Sequence, residues 1–63
     1  MKKLEFRNKL IAELDRLGGD SFVLVISPDL EKFIPNLILI MGKEVELSVV
    51  VDDEFPEETF KLE

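Results

Sequence analysis

Hydrophobic and polar positions follow two rhythms along this chain, and the change from one to the other marks its elements. From Lys2 to Leu17 the rhythm is helical. At 100° per residue, Leu4, Phe6, Leu10, Ile11, Leu14 and Leu17 fall within an arc of about 160°, with Glu5, Asn8, Lys9, Asp15 and Arg16 on the other side. Lys3 and Arg7 intrude on the apolar arc and are expected to lay their stems along its edge. Glu5 and Lys9 form a favourable i,i+4 pair, and Gly18-Gly19 supplies the left-handed residue that stops a helix.

Beyond the glycines the pattern predicts strands. Ser21 to Ser27 (SFVLVIS) is rich in β-branched residues and short, with Phe22, Leu24 and Ile26 on one face and Val23 and Val25 on the other. Ser27-Pro28-Asp29 has the form of a helix start, with Ser27 as cap and Pro28 in the first helical position. Pro35 disfavours a helical Ile34, which limits this helix to a turn or two. Asn36 to Met41 and Glu44 to Val51 read as a hairpin about Gly42-Lys43, a two-residue loop suited to a type II′ turn. That loop sets Ile40 opposite Val45, Ile38 opposite Leu47, Leu39 opposite Glu46 and Leu37 opposite Ser48. Ile38, Ile40, Val45, Leu47 and Val49 then face the helix. After an acidic turn, Thr59 to Leu62 adds a short last strand with Phe60 and Leu62 inward. The predicted architecture is α+β: one amino-terminal amphipathic helix packed on a three- or four-stranded antiparallel meander, two layers in a single domain over residues 1–63.

This arrangement leaves one face of the sheet uncovered, and such faces are normally polar. Glu46, Ser48, Thr59 and Lys61 obey that rule. Val23, Val25, Leu37, Leu39 and Met41 do not, and at about 1.5–3 kcal/mol for each buried side chain they predict a cover. Three covers fit the pattern: a second subunit, a partner protein, or the 28–35 segment folded back so that Leu30, Phe33 and Ile34 close the core.

Composition sharpens the choice of function class. Ten Leu, six Val, five Ile and five Phe supply most of a 46% apolar content, enough for a domain of 63 residues to fold. With no Cys and no His, thiol chemistry, disulfides, the usual zinc sites and histidine acid/base catalysis have no residues to use. Ser21, Ser27 and Ser48 lack a histidine to activate them, and Gly18-Gly19 follows a helix where a phosphate-cradling loop would precede one. Glu46 beside Leu39 is the one carboxylate expected near apolar neighbours. Eight Lys/Arg against fourteen Asp/Glu give a net charge of −6 and argue against direct nucleic-acid binding. The longest apolar runs, Phe22 to Ile26 and Leu37 to Met41, fall far short of a membrane span, and the amino terminus lacks the apolar core of a signal peptide, so a cytoplasmic location is expected. A terminal Leu-Glu is a frequent cloning scar, which gives Leu62 and Glu63 little functional weight. Asp52, Asp53, Glu54, Glu57 and Glu58 form the densest charged run, without the alternating acidic residues and glycine of a calcium-binding EF-hand loop.

The element order, the Ile40-Met41-Gly42 sequence at the expected hairpin and Phe55-Pro56 after the following strand resemble the first part of RWD domains and ubiquitin-conjugating enzymes. The resemblance spans most of this chain but only the front of that fold, without its catalytic cysteine region or carboxy-terminal helices. It implies an RWD-like protein-interaction module with no conjugating activity. The leading expectation is therefore a non-catalytic protein-interaction domain, without cofactor or metal. Its partner would be a second copy, giving a homodimer, or another protein, through Val23, Val25, Leu37, Leu39 and Met41. Two alternatives stand beside it: an acidic inhibitor or nucleic-acid mimic engaging a basic surface through Asp52 to Glu58, and a designed miniature domain.

Overall fold

A computed structural model describes residues 2–40 and 45–63. Helix α1 (Lys3–Leu17) leads into strand β1 (Ser21–Ile26), followed by a 3-10 helix (Pro28–Phe33) that runs directly into helix α2 (Ile34–Ile40). Strands β2 (Glu46–Val51) and β3 (Phe60–Leu62) complete a three-stranded sheet in the order β2-β1-β3. The α+β class is as expected, whereas the antiparallel meander is not: β1 pairs with β2 in parallel and only β3 runs antiparallel to β1.

The difference arises at Asn36 to Met41. A run of apolar residues without alternation fits a buried strand or a buried helix equally well, and here its described part is helical. Pro35 starts this helix where it was expected to block one. In the first turn its missing N–H has no intrahelical acceptor to lose, and Ile34 keeps helical angles (φ −62°, ψ −46°) despite preceding a proline. Ile34 is buried there along with Leu30 and Leu37. Burial of such side chains, at about 1.5–3 kcal/mol each, outweighs the pre-proline preference. With residues 36–40 helical, the predicted pairings of Leu37, Ile38, Leu39 and Ile40 with β2 do not form. The Gly42-Lys43 turn, Met41 and Glu44 lie outside the described residues. The 3-10 helix and α2 instead make the crossover that two parallel strands require.

Elsewhere most local signals act as predicted. Gly18 ends α1 in the left-handed conformation (φ 71°), its N–H donating to the Leu14 carbonyl at 3.0 Å. Pro28 opens the 3-10 helix, but the Ser27 side chain does not cap it. The buried Ser27 hydroxyl instead accepts the Thr59 N–H at 3.3 Å, while the Ser27 N–H donates to the Thr59 carbonyl at 3.0 Å. This ties β3 to the end of β1.

One core joins every element. Phe6, Leu10 and Leu14 of α1, Leu24 and Ile26 of β1, Leu30 of the 3-10 helix, and Ile34 and Leu37 of α2 form its buried cluster. Phe22, Val45, Leu47, Val49, Phe60 and Leu62 pack against it as expected from their strand positions. The Phe6 ring lies 5.1 Å from that of Phe60 and 6.3 Å from that of Phe33, centroid to centroid and tilted in both pairs, a favoured aromatic geometry. Leu62 thus belongs to the fold, and Glu63 extends the β1–β3 ladder by exchanging two backbone hydrogen bonds with Val23.

Candidate functional site

The strand registers determine what each sheet face displays. On the inner face, Leu47 lies beside Phe22, Leu24 lies between Val49 and Leu62, and Ile26 lies between Val51 and Phe60. On the outer face, Glu46 lies beside Ser21, Ser48 beside Val23, and Val25 between Val50 and Lys61. No side chain of this second set belongs to the buried core cluster. Both helices therefore serve one face, and the 28–35 segment closes the core on that side without covering the other.

Of the five predicted interface residues, the structure brings two together. Val23 and Val25 share the outer face, with Val25 only 8% exposed because β1 is central and neighbours close on it from both sides. Leu37 is a core residue of α2 at 1% exposure, and Leu39, at 82%, stands in solvent on the same helix. Met41 is not among the described residues. Val50, half-exposed next to Val25, joins the outer apolar strip in their place. Its period-two alternation with Ser48 and Glu46 is the sequence signal that places it there.

A second apolar surface lies at the meeting of the helices. Ile38, Leu39 and Ile40 of α2 and Leu4 of α1 are all exposed. Lys3, Leu4, Arg7 and Ile40 line an open groove of about 450 Å³. Arg7 Nε is buried there without a hydrogen-bond partner among the described residues, while its Nη1 reaches Asn8 Oδ1 at 3.5 Å. A larger open depression of about 540 Å³ separates α1 from β3, with Phe60 and Leu62 in its lining and Lys9, Arg16 and Lys61 about it. These cations already have carboxylate partners: Glu5 at 3.7 Å, Glu13 at 2.7 Å and Glu63 at 2.8 Å. The Glu63 carboxylate accordingly raises the Lys61 pKa above the usual lysine value.

The acidic run is partly absorbed by the fold. Asp52 Oδ1 accepts the Glu54 N–H at 3.0 Å, and the Asp52 carbonyl accepts the Phe55 N–H at 3.1 Å, so this residue organises its own turn. Asp53, Glu54, Glu57 and Glu58 are exposed. Among the described residues no group of three or more acidic side chains gathers in a way that could hold a metal ion. Glu46, expected beside Leu39, is instead an exposed residue of β2 beside Ser21. Among the described residues, no helix is long and apolar enough to cross a membrane.

No protein family model, curated protein or solved structure matches this chain. Of the residues that resemble RWD domains, Ile40 closes α2, Met41 and Gly42 lie outside the described set, and Phe55-Pro56 falls in the turn after β2.

Proposed function

We propose that this chain is a non-catalytic protein-interaction domain whose sheet associates with that of a second copy. The observation that carries this reading is the pairing of Val25 with Val50 on the sheet face that neither helix covers, beside an edge strand of six residues. The absence of Cys and His from the sequence favours binding over catalysis. A net charge of −6 on each protomer opposes association at long range, so the apolar strip and the strand edge must supply the attraction and added salt should strengthen it.

The test is the solution mass by light scattering over a wide concentration range, at low and high salt. The wild type should reach twice the protomer mass. Val50→Glu, at a half-exposed position that tolerates a charge, should return the mass to that of one protomer while circular dichroism stays unchanged. A wild type that remains monomeric at every concentration would sink the proposal.

A further inference from the structure

Among the described residues the strand order leaves β2 as an edge, and its hydrogen-bond parity identifies the groups that face outward. Glu46 N–H donates to the Asp20 carbonyl at 2.8 Å, and Asp52 N–H to the Ile26 carbonyl at 2.9 Å. In a parallel ladder alternate residues of a strand turn to the same neighbour, so Glu46, Ser48, Val50 and Asp52 direct their backbone groups to β1. Val45, Leu47, Val49 and Val51 direct theirs to the free edge. Nature usually blunts such an edge with lysine, proline, a bulge or shortness. The six residues of β2 include one charge, Glu46, and no proline.

We infer that two copies of this chain join through antiparallel pairing of their β2 edges about a two-fold axis at Ser48, making one six-stranded sheet. This rests on the self-association proposed above and assigns it to the β2 edge, with Val50 facing Glu46 of the partner, rather than to stacking of the Val25–Val50 strip. For a two-fold axis normal to the sheet, facing residues must share a face, which restricts the centre to Ser48 or Val49 if most of the strand is to pair. A centre at Val49 sets Glu46 opposite Asp52 of the partner, twice over, and like charges directly opposite are unfavourable. A centre at Ser48 places no like charges opposite one another between Val45 and Val51. It sets Val45 opposite Val51 and Leu47 opposite Val49 as the hydrogen-bonded pairs, all apolar and all on the core side. On the outer face it sets Glu46 opposite Val50 and Ser48 opposite its own copy, as close, non-hydrogen-bonded pairs.

The register is directly testable because the chain has no cysteine of its own. At a close antiparallel pair the Cα atoms lie about 4.5 Å apart, within reach of a disulfide. Under mild oxidation Ser48→Cys should give a covalent dimer on a non-reducing gel, whereas Glu46→Cys, four residues from its own copy across the axis, should not. Val50→Lys places a cation opposite Glu46 of the partner at two symmetric positions. It should keep the dimer and lower its Kd about fivefold. If the wild type is dimeric but Ser48→Cys does not link and Val50→Lys dissociates the dimer, edge pairing is overturned while self-association through the sheet face survives. A wild type that is monomeric at all concentrations overturns both.

Discussion

The Asp29 carboxylate accepts the backbone N–H of Glu58 through both oxygens, at 3.2 and 3.1 Å. This contact pins the acidic turn to the 3-10 helix, immediately before Thr59 meets the buried Ser27. Glu58 holds a left-handed conformation (φ 56°), uncommon for a residue with a side chain. Asp29→Ala should therefore lower unfolding stability by about 1 kcal/mol in urea titrations. Asp29→Asn, which keeps an acceptor oxygen, should lose less. Equal losses in the two variants would show that charge, rather than the acceptor, maintains this turn.

Leu37 and Leu39 separate a helical 34–40 segment from an extended one. On a strand, residues two apart share a face and the two leucines would respond alike. On α2 they do not: Leu37 is 1% exposed and Leu39 82%. Leu37→Ala should cost about 2–5 kcal/mol, a large share of the roughly 3–9 kcal/mol expected for a domain of this size. Leu39→Ala should stay within about 0.5 kcal/mol of the wild type. Thermal melts of the two variants decide the matter, and similar Tm values would contradict the helix.

Where polar residues interrupt the apolar ones at a definite period, the elements were legible in the sequence. Phe6, Leu10 and Leu14 recur at helical spacing and are the buried stripe of α1. Leu47 and Val49 alternate with Glu46 and Ser48 and take the predicted sides of β2. The LILI of residues 37–40 has no interruption, so its period is undefined, and Pro35 carries opposite meanings at the end of a helix and in its first turn. That single ambiguity changed the topology, because a helix there converts a hairpin into a parallel crossover. It also redistributed the candidate interface: Leu37 went to the core, Leu39 to the helix surface, and Val50 took their place beside Val25. Strand order depends on contacts between distant segments, and no local pattern encoded it.

Gly18 tests how far the end of α1 depends on one backbone conformation. Its φ of 71° suits glycine, and a Cβ placed there would meet no atom within 4 Å, so the penalty of a side chain is purely conformational. Gly18→Ala should destabilise the domain by about 1 kcal/mol, and Gly18→Asn by less, since asparagine tolerates the left-handed region. Chemical denaturation of the three proteins gives the order. A neutral alanine would mean that the Gly18 N–H to Leu14 carbonyl bond is dispensable to the helix end.

On the exposed side of α1, Arg16 grips Glu13 with two hydrogen bonds, Nη2 to Oε2 at 2.7 Å and Nε to Oε1 at 3.4 Å. These bonds hold the Glu13 carboxyl below the usual glutamate pKa and raise that of Arg16. A carboxyl with a depressed folded-state pKa stabilises the fold above its unfolded-state value, and that contribution disappears as pH falls through the folded-state value. The effect on stability is small because solvent screens the pair. Titration of the side chain is the sharper measurement. Carboxyl chemical shifts followed by NMR should show Glu13 protonating at lower pH than an unpaired glutamate, and Arg16→Met should move its midpoint upward. An unchanged midpoint in that variant would assign the depression to some source other than the guanidinium.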